Sequence, residues 1–301
     1  MSDIIIMNGK DLAEELLPTQ QLNYSDKKRP PCLVVITIGD DEASKVYLKN
    51  KKKLCDRCGI TYIHEKYSSD ANYMSLVDRI NELNDNPNVD GIIVQKPVPN
   101  KFSNIEQNIK WYKDVDGFTS QNVGNLFTRA NDYNTFMSCT PYGILTMLKH
   151  YEVPMEGKHV VILGRSTIVG KPLIGILLNE NCTVTSCNSY TENLKDITKS
   201  ADILISAIGI PKHINHEYIS LKCKCIIDVG INRDENNKLC GDCDFEDIVT
   251  WWNNSQLTEK RYITPVPNGV GPMTVYSLIR NVNSAYTINL FYGMAEDRGS
   301  N

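Results

Sequence analysis

The architecture of this chain follows from residues 158–170, which read KHVVILGRSTIVG. The apolar run up to Leu163 predicts a buried parallel strand, because it is rich in β-branched residues and ends at a glycine. Gly164 then lets the backbone turn tightly, and an apolar helix is expected over residues 172–178. Because a helix N-terminus offers free N–H groups to phosphates, this order predicts the start of a dinucleotide-binding unit. Ser166 stands at the second glycine of the plain G-x-G-x-x-G pattern, so the motif alone is a weak signal.

The end of the next predicted strand indicates which dinucleotide would bind. Residues 183–186 are strand-like and lead into Cys187-Asn188-Ser189. An NAD site usually carries an acidic residue for the ribose hydroxyls roughly 20 residues past the glycine turn. That acid is missing here, whereas Arg165 and Ser189 offer a charged fork and a hydroxyl to a 2′-phosphate. The sequence therefore favours NADP over NAD.

Strand and helix patterns alternate on both sides of this unit. Strands are predicted at 31–38, 60–64, 91–95, 202–206 and 225–230, with helices between them. Such alternation predicts βαβ units and parallel sheets, and an α/β protein of 301 residues holds one large domain or two ordinary ones. Ligands bind beyond the carboxyl ends of such strands, where Gln95 and the loop after residue 38 converge.

That loop begins a predicted helix, which runs from the acidic residues 40–42 to Gly59. Ser44, Tyr47 and Lys51 are spaced three and four residues apart, so a helix would place them on one face. A phenol and an amine there could stack on a substrate and move protons, if a partly dry pocket lowers the pKa of the amine. The alternative is a solvated basic face, because the neighbouring residues include Lys45, Lys49, Lys52 and Lys53.

Two loops are rich in turn-forming residues. Asp114-Val115-Asp116-Gly117 is a turn by composition, and its acidic side chains would ordinarily be solvated. Residues 264–274 form a loop dense in Pro and Gly that precedes a last helix, predicted at 275–285. Such a loop lets the backbone approach a ligand closely, although an ordinary linker has the same composition.

Charge and hydropathy argue against several classes of partner. The net charge is −4 and the pI is about 5.8, which do not favour general binding to nucleic acid or to anionic membranes. The apolar run near Ile4 is too short for a signal peptide, and no run approaches the roughly 18 apolar residues of a membrane helix. We expect a cytoplasmic, soluble protein.

The chain has ten cysteines, two pairs of which have the C-x-x-C spacing: Cys55/Cys58 and Cys240/Cys243. A zinc site would have to join pairs separated by more than half of the chain, against a gap of roughly 15–20 residues in the usual pattern. Reduced, buried thiols are therefore favoured over a metal centre, and no metal is predicted.

Taken together, these stretches resemble the bifunctional methylenetetrahydrofolate dehydrogenase/cyclohydrolase family. The resemblance covers nearly the whole chain and rests on six motifs in order: Ser44-x-x-Tyr47-x-x-x-Lys51, Val94-Gln95-x-Pro97, Asp114-Val115-Asp116-Gly117, Cys139-Thr140-Pro141, Gly164-Arg165-Ser166-x-x-Val169-Gly170 and the loop at 264–274. The expected fold is α/β with two domains and a cleft between them. Residues 1–145 plus 272–301 would form the folate-binding catalytic domain, and residues 146–271 a Rossmann-like NADP-binding domain.

The resemblance implies an enzyme that oxidises 5,10-methylenetetrahydrofolate with NADP and then hydrolyses the methenyl product to 10-formyltetrahydrofolate. It implies that Lys51 handles protons, that Gln95 holds Lys51 by a hydrogen bond, that Tyr47 stacks on the folate and that Asp116 accepts N–H bonds from the pterin. The backbone at Pro267, Gly269 and Gly271 would line the same cleft. The implied cofactor-binding residues are Gly164, Arg165, Ser166, Val169, Gly170, Ser189 and Ile231. The family is typically dimeric, which implies a homodimer.

Two alternatives remain at this point: a folate enzyme with only the dehydrogenase activity, and a non-catalytic dinucleotide-binding protein. The sequence also departs from the family pattern. Lys96 stands where an apolar residue is usual, Asn268 replaces a glycine, and Asn188 and Tyr190 flank Ser189 where His and Lys are more usual. Asn tolerates left-handed backbone geometry, so the loop at Asn268 is expected to keep its shape.

Overall fold

The computed structural model describes residues 4–21, 29–128, 135–255, 257 and 259–298, with the backbone alone at 42–44, 46 and 291–298. The chain divides into two compact units. The large-sheet unit comprises Met1–Glu15 and Thr140–Thr274, and the small-sheet unit comprises Leu16–Cys139 and Val275–Asn301.

The strands and helices alternate as predicted. The strands are β1 (Ile4–Ile6), β2 (Cys32–Ile38), β3 (Thr61–Tyr67), β4 (Gly91–Val94), β5 (His159–Leu163), β6 (Thr183–Cys187), β7 (Ile203–Ser206), β8 (Cys225–Asp228), β9 (Asn232–Arg233), β10 (Leu239–Cys240) and β11 (Arg261–Ile263). The helices are α1 (Gly9–Leu16), α2 (Glu42–Arg57), α3 (Tyr73–Asp85), α4 (Ser120–Thr128), α5 (Cys139–His150), α6 (Gly170–Asn179), α7 (Leu194–Lys199), α8 (Phe245–Asn254) and α9 (Val270–Arg298). Short 3₁₀ turns lie at Leu17–Gln20, Asn100–Phe102, Ile105–Asn108 and His216–Tyr218.

The small-sheet unit is built on a parallel sheet with the order β3-β2-β4. The central strand β2 is buried on both faces, with Leu33 and Val35 in one apolar cluster and Val34 and Ile36 in another. This is why its sequence is continuously apolar rather than alternating. The same geometry places the loop after β2 and the loop after β4 at one edge of the sheet.

The large-sheet unit contains a parallel sheet with the order β1-β11-β8-β7-β5-β6. The chain leaves β5 towards β6 on one side and returns to β7 on the other, so a topological switch point lies beside β5. In sheets of this kind ligands bind at that point, beyond the carboxyl ends of the strands. The turn after β5 is therefore in the expected position for a dinucleotide.

The observed units differ from the predicted domains of residues 1–145 plus 272–301 and residues 146–271. Residues 4–6 form an edge strand of the larger sheet because Ile4 pairs with Arg261 and Ile6 with Ile263. No local pattern in so short a run reveals a partner that distant in the sequence. The last helix also begins at Val270, inside the Pro-rich loop and not after it.

The structure also bears on the state of the cysteines, on a metal site and on membrane-spanning helices. All ten cysteines are buried free thiols. Within the described ranges, no group of His, Cys, Asp and Glu is arranged to hold a metal ion. Over the same ranges, no helix combines the length and the apolar character that crossing a membrane requires.

Candidate functional site

The centre of the small-sheet unit's site is a buried lysine bound to a glutamine. Lys51 is only 6% exposed, and its Nζ donates to Oε1 of Gln95 at 2.9 Å. Lys51 lies on α2, and Gln95 follows the last residue of β4, so the two side chains meet at the carboxyl edge of the sheet. The Gln95 side chain is itself fixed, because its Nε2 donates to the carbonyl of Lys96 at 2.8 Å. The amine is thus held in one position.

Burial separates Lys51 from the other lysines of α2. Lys45, Lys49, Lys52 and Lys53 are all exposed. A solvated basic face therefore describes those four residues and not Lys51. The side chain of Ser44, which the helical spacing placed on the same face, lies outside the described residues.

Tyr47 lies one helical turn before Lys51 on α2. Its ring is half-buried, and burial raises the pKa of its hydroxyl above the ordinary value. The phenol therefore stays neutral at physiological pH, so it offers a ring face and an O–H donor at the same time.

The turn at residues 114–117 carries two acids with different environments. Asp114 is 1% exposed, and its carboxylate accepts hydrogen bonds from the backbone N–H groups of Gly117, Phe118 and Thr119 at 3.0, 3.2 and 2.7 Å. The Nδ2 of Asn122 donates to the same carboxylate at 2.9 Å. Asp114 therefore builds the turn, and the expectation that its side chain is solvated is wrong.

Asp116, by contrast, is half-buried and has a thiol neighbour. The Sγ of Cys139 lies 3.6 Å from Oδ1 of Asp116. Burial raises the pKa of the Cys139 thiol well above its usual value, and Asp116 raises it further, while the charge of Lys51 opposes the change. Asp116 and the charge of Lys51 thus act on one thiol that stays protonated, and Gln95 joins this group through its hydrogen bond with Lys51.

Space for a ligand adjoins Gln95. A small open pocket lies at the ends of the three strands, and its lining residues include Thr37, Gly39, His64, Lys66, Gln95 and Pro97. Lys96, which departs from the family pattern, forms an ion pair with Glu106 at 2.6 Å. The extra cation therefore has a carboxylate partner beside the site.

In the large-sheet unit, the glycine turn after β5 is tightly packed. Gly164 has a φ of 106°, which glycine adopts without strain, and Gly170 begins α6 directly against it. A Cβ atom at position 170 would lie 2.2 Å from the carbonyl oxygen of Gly164. The Oγ of Ser166 accepts from the N–H groups of Val169 and Gly170 at 3.2 and 3.4 Å. The hydroxyl of Ser166, which stands where the plain motif has its second glycine, therefore orders the turn.

Close packing at Gly170 leads to a first prediction. Gly170→Ala should disturb this turn and weaken dinucleotide binding by tenfold or more, because the added methyl group overlaps a backbone oxygen. Gly124→Ala is the matched control, since nothing lies within 4 Å of a Cβ atom at that helical position. Titration calorimetry with NADP measures both variants. Equal affinities would show that the turn has room that the structure does not indicate.

The residues chosen for the 2′-phosphate lie at the surface of the same unit. Arg165 and Ser189 are exposed, and the Arg165 guanidinium lies 6.0 Å from the centre of the Tyr190 ring. Tyr190 itself is 82% exposed. The aromatic residue that departs from the family pattern thus gives Arg165 a cation–π neighbour.

Apolar side chains continue along the carboxyl edge of the larger sheet. Ile168, Ile210 and Ile231 are 39%, 48% and 51% exposed. They follow β5, β7 and β8, so neighbouring strand ends present them together. An exposed apolar group at a switch point suits the flat rings of a dinucleotide. The family resemblance implied Ile231 as a cofactor residue, whereas Ile210 was not predicted.

The Pro-rich loop belongs to the large-sheet unit. Its Val266–Pro267 peptide is cis, and Asn268 has a φ of 76°, as its left-handed tolerance predicted. The carbonyl of Asn268 accepts from Lys10 N at 3.1 Å, which ties the loop to α1. A Cβ atom at Gly271 would lie 3.9 Å from Cδ1 of Ile231. Gly271 of this loop therefore lies next to Ile231, one of the predicted cofactor residues.

Comparison with known proteins identifies one family over most of the chain. Family profiles described as tetrahydrofolate dehydrogenase/cyclohydrolase, catalytic domain and NAD(P)-binding domain, match residues 7–116 and 138–290. The chain is 45% identical over 282 residues to Bifunctional protein FolD of Lachnoclostridium phytofermentans, which covers 92% of this chain and 96% of that protein.

Two solved structures are similar over nearly their whole length. One is the bifunctional enzyme FolD, methylenetetrahydrofolate dehydrogenase/cyclohydrolase, from Campylobacter jejuni, with a TM-score of 0.87, 37% identity and coverage of 94% of this chain and 99% of that chain. The other is the Trypanosoma brucei enzyme complexed with NADP cofactor and inhibitor, with a TM-score of 0.85, 30% identity and coverage of 96% and 99%.

Proposed function

This chain belongs to the tetrahydrofolate dehydrogenase/cyclohydrolase family, and we propose that it is a bifunctional folate enzyme. It oxidises 5,10-methylenetetrahydrofolate to 5,10-methenyltetrahydrofolate with NADP, and then hydrolyses that product to 10-formyltetrahydrofolate. The observation that carries the proposal is the buried Lys51 amine, held 2.9 Å from Gln95. Neither a dehydrogenase alone nor a non-catalytic protein requires a lysine in that position.

The large-sheet unit fits NADP, since its tightly packed glycine turn leads directly into the N-terminus of α6, where free N–H groups suit a phosphate. We assign the phosphates to the turn at Gly164, Ser166, Val169 and Gly170, and the 2′-phosphate to Arg165 and Ser189. Ile231 would contact the nicotinamide end. When bound, NADP supplies the acceptor for the hydride that leaves the one-carbon bridge of the substrate.

Lys51 is the proposed proton carrier of the hydrolysis. Water adds to the cationic methenyl carbon and loses a proton. The hydroxyl of this adduct then loses its proton to become the formyl carbonyl while the bond from that carbon to N5 breaks and N5 takes up a proton, so that one proton is released overall. A neutral amine that donates one N–H to Gln95 keeps its lone pair available for the proton of the water. The Gln95 oxygen also accepts from the protonated amine, so the position of Lys51 survives the transfer.

The remaining roles concern how the substrate is held. Tyr47, one turn from Lys51, would stack on the folate, and the Asp116 carboxylate would accept N–H bonds from the pterin. The backbone at Pro267, Gly269 and Gly271 is assigned to the substrate on the family resemblance alone. Each assignment predicts a rise in the KM for the folate when the residue is replaced.

Near-ultraviolet absorbance tests the proposed function. With methylenetetrahydrofolate and NADP, we expect NADPH to form while the methenyl signal stays low or decays faster than in buffer. If NADPH forms but the methenyl compound decays only at its rate in buffer, the protein has the dehydrogenase activity and lacks the cyclohydrolase activity. If neither NADP nor NAD is reduced, the chain is not an enzyme of this kind.

Cofactor choice yields a second prediction, at Arg165. Arg165→Ala should raise the KM for NADP at least about tenfold and leave the KM for NAD nearly unchanged, because a charged hydrogen bond to the 2′-phosphate is lost. Steady-state kinetics with both cofactors measures the difference. Lys171→Ala, an exposed cation on α6 that has no assigned contact with the cofactor, is the control. Equal losses with NADP and NAD would contradict the assignment of Arg165.

We further propose that the protein is a cytoplasmic homodimer in one-carbon metabolism, where 10-formyltetrahydrofolate feeds purine biosynthesis. Support for these points comes from the family resemblance. Light scattering after size-exclusion chromatography gives the mass in solution, and a monomer at working concentration would refute the dimer.

A further inference from the structure

A buried carboxylate outside the predicted site joins two loops at the carboxyl edge of the larger sheet. Asp242 is 0% exposed and follows the hairpin strand β10. Its Oδ2 accepts from Ser206 Oγ at 3.1 Å and from the N–H of Ile208 at 2.7 Å. Its Oδ1 accepts from the N–H of Ile210 at 3.1 Å and from Asn232 Nδ2 at 2.8 Å. One side chain thus receives hydrogen bonds from four residues.

These partners lie at the end of β7 and in the loop after it, and at the start of β9, which follows the loop after β8. The first loop begins at Ala207, whose N–H donates to the carbonyl of Leu163 at the end of β5, so it is adjacent to the glycine turn. It also carries Ile210, and the second loop carries Ile231, the two exposed apolar side chains that follow these strands. A dinucleotide with its phosphates at the glycine turn would extend along this edge and over both loops.

A second buried acid holds Asp242 in place. Oδ1 of Asp228, at the end of β8, accepts from the Asp242 N–H at 2.9 Å, and Oδ2 accepts from the Cys243 N–H at 2.8 Å. Burial raises the pKa of Asp228 to about 6, and the nearby Asp242 charge contributes to that rise. Asp228 therefore fixes the backbone that follows the β9–β10 hairpin to the end of β8. The Asp242 carboxylate remains free to accept hydrogen bonds from the loops.

We infer that Asp242 is a positioning residue for the dinucleotide: it fixes the loops at 207–210 and 230–232 in the geometry that binds the nicotinamide end. The inference rests on the proposed function, because it takes NADP as the ligand of this edge. Asp242 acts through Ile208, Ile210 and Asn232, since its own carboxylate is fully buried by them. Neither motif spacing nor charge pattern assigns it a role.

The test is Asp242→Asn in the full-length protein. An amide offers one acceptor oxygen and turns an NH₂ group towards two donors, so both loops lose part of their anchorage. We expect the Kd for NADP, measured by titration calorimetry, to rise about tenfold or more. The KM for methylenetetrahydrofolate and the rate of methenyltetrahydrofolate hydrolysis without NADP should stay within about twofold of wild type, given that their assigned groups make no contact with Asp242.

Two further variants separate positioning from general stability. Ser206→Ala removes one donor to Asp242 with little change in shape, and should raise the Kd for NADP about two- to fivefold. Asp244→Asn, two residues along, is the control: Asp244 caps α8 through Asp247 N, and Asn caps equally well. Unchanged NADP affinity in both Asp242→Asn and Ser206→Ala overturns the inference, and so does an equal loss of hydrolysis. If Asp242→Asn does not fold, Ser206→Ala decides. A wild-type chain that binds no NADP would instead overturn the proposed function.

Discussion

Replacing Lys51 by Met is expected to slow the hydrolysis of methenyltetrahydrofolate by about 100-fold or more, while NADPH still forms. The expectation follows from the usual contribution of a positioned proton carrier, about 10²- to 10⁴-fold. Met has a similar length and is apolar, so it fills the buried site without leaving a large cavity. Gln95 loses the donor to its Oε1, and its second contact, to the Lys96 carbonyl, remains. The methenyl absorbance should therefore accumulate as NADPH rises.

Lys52→Met is the matched control for Lys51→Met. Lys52 is the next residue on α2, but it is exposed and pairs with Asp56 one turn further along the same helix. Its loss should leave both activities at the wild-type level, since solvated pairs of this kind contribute little. Undiminished hydrolysis in Lys51→Met, or an equal decrease in Lys52→Met, would remove Lys51 from its proposed role. Calorimetry with NADP checks that the large-sheet unit is intact in both variants.

The Lys51–Gln95 contact shows how far local patterns reach. Helical spacing placed Tyr47 and Lys51 on one face, and the strand pattern placed Gln95 at the carboxyl end of β4. Parallel strands bring such ends to one edge, so the convergence of Gln95 and α2 followed from two local patterns and one rule of topology, whereas the hydrogen bond itself was implied by the family resemblance. The same reasoning located the glycine turn after β5. Burial of Lys51 did not follow, because neighbouring lysines on the same helix gave the sequence the pattern of a solvated surface.

Where the prediction failed, the missing information was long-range. Ile4–Ile6 is a strand only because β11 lies beside it, more than 250 residues away in the sequence. The role of Asp242 can be recognised only in the folded structure, where its carboxylate accepts hydrogen bonds from Ile208, Ile210 and Asn232. Its sequence context, between a glycine and a cysteine in a polar stretch, is that of an ordinary turn. Buried acids of this type are recognised by their donors, and the donors come from other elements.

Asp114 and Asp116 lie in one turn, and the sequence alone did not show that only Asp114 is fully buried by its donors. Replacing Asp114 is the second substitution for which we expect a large effect. Asp114→Ala should lower the free energy of unfolding by about 3–5 kcal/mol, because several donors would lose their acceptor at a cost of about 1–3 kcal/mol for each one left buried and unsatisfied. The N–H groups of Gly117, Phe118 and Thr119 and the amide of Asn122 would lose their acceptor. Equilibrium unfolding in urea measures the change.

Two comparisons make the Asp114 experiment specific. Asp85→Ala removes an exposed acid that pairs with Lys110 at 2.8 Å, and its effect on unfolding should be small because the pair is solvated. Asp114→Asn keeps one acceptor oxygen for Gly117 and Phe118 but turns an NH₂ group towards Thr119 and Asn122, so its loss should be intermediate. Because the turn also carries Asp116, the Asn variant should raise the KM for the folate even where most of the protein is folded. Equal stability of Asp114→Ala and Asp85→Ala would mean that the turn holds its shape without the buried carboxylate, and that Asp116 is positioned by other contacts.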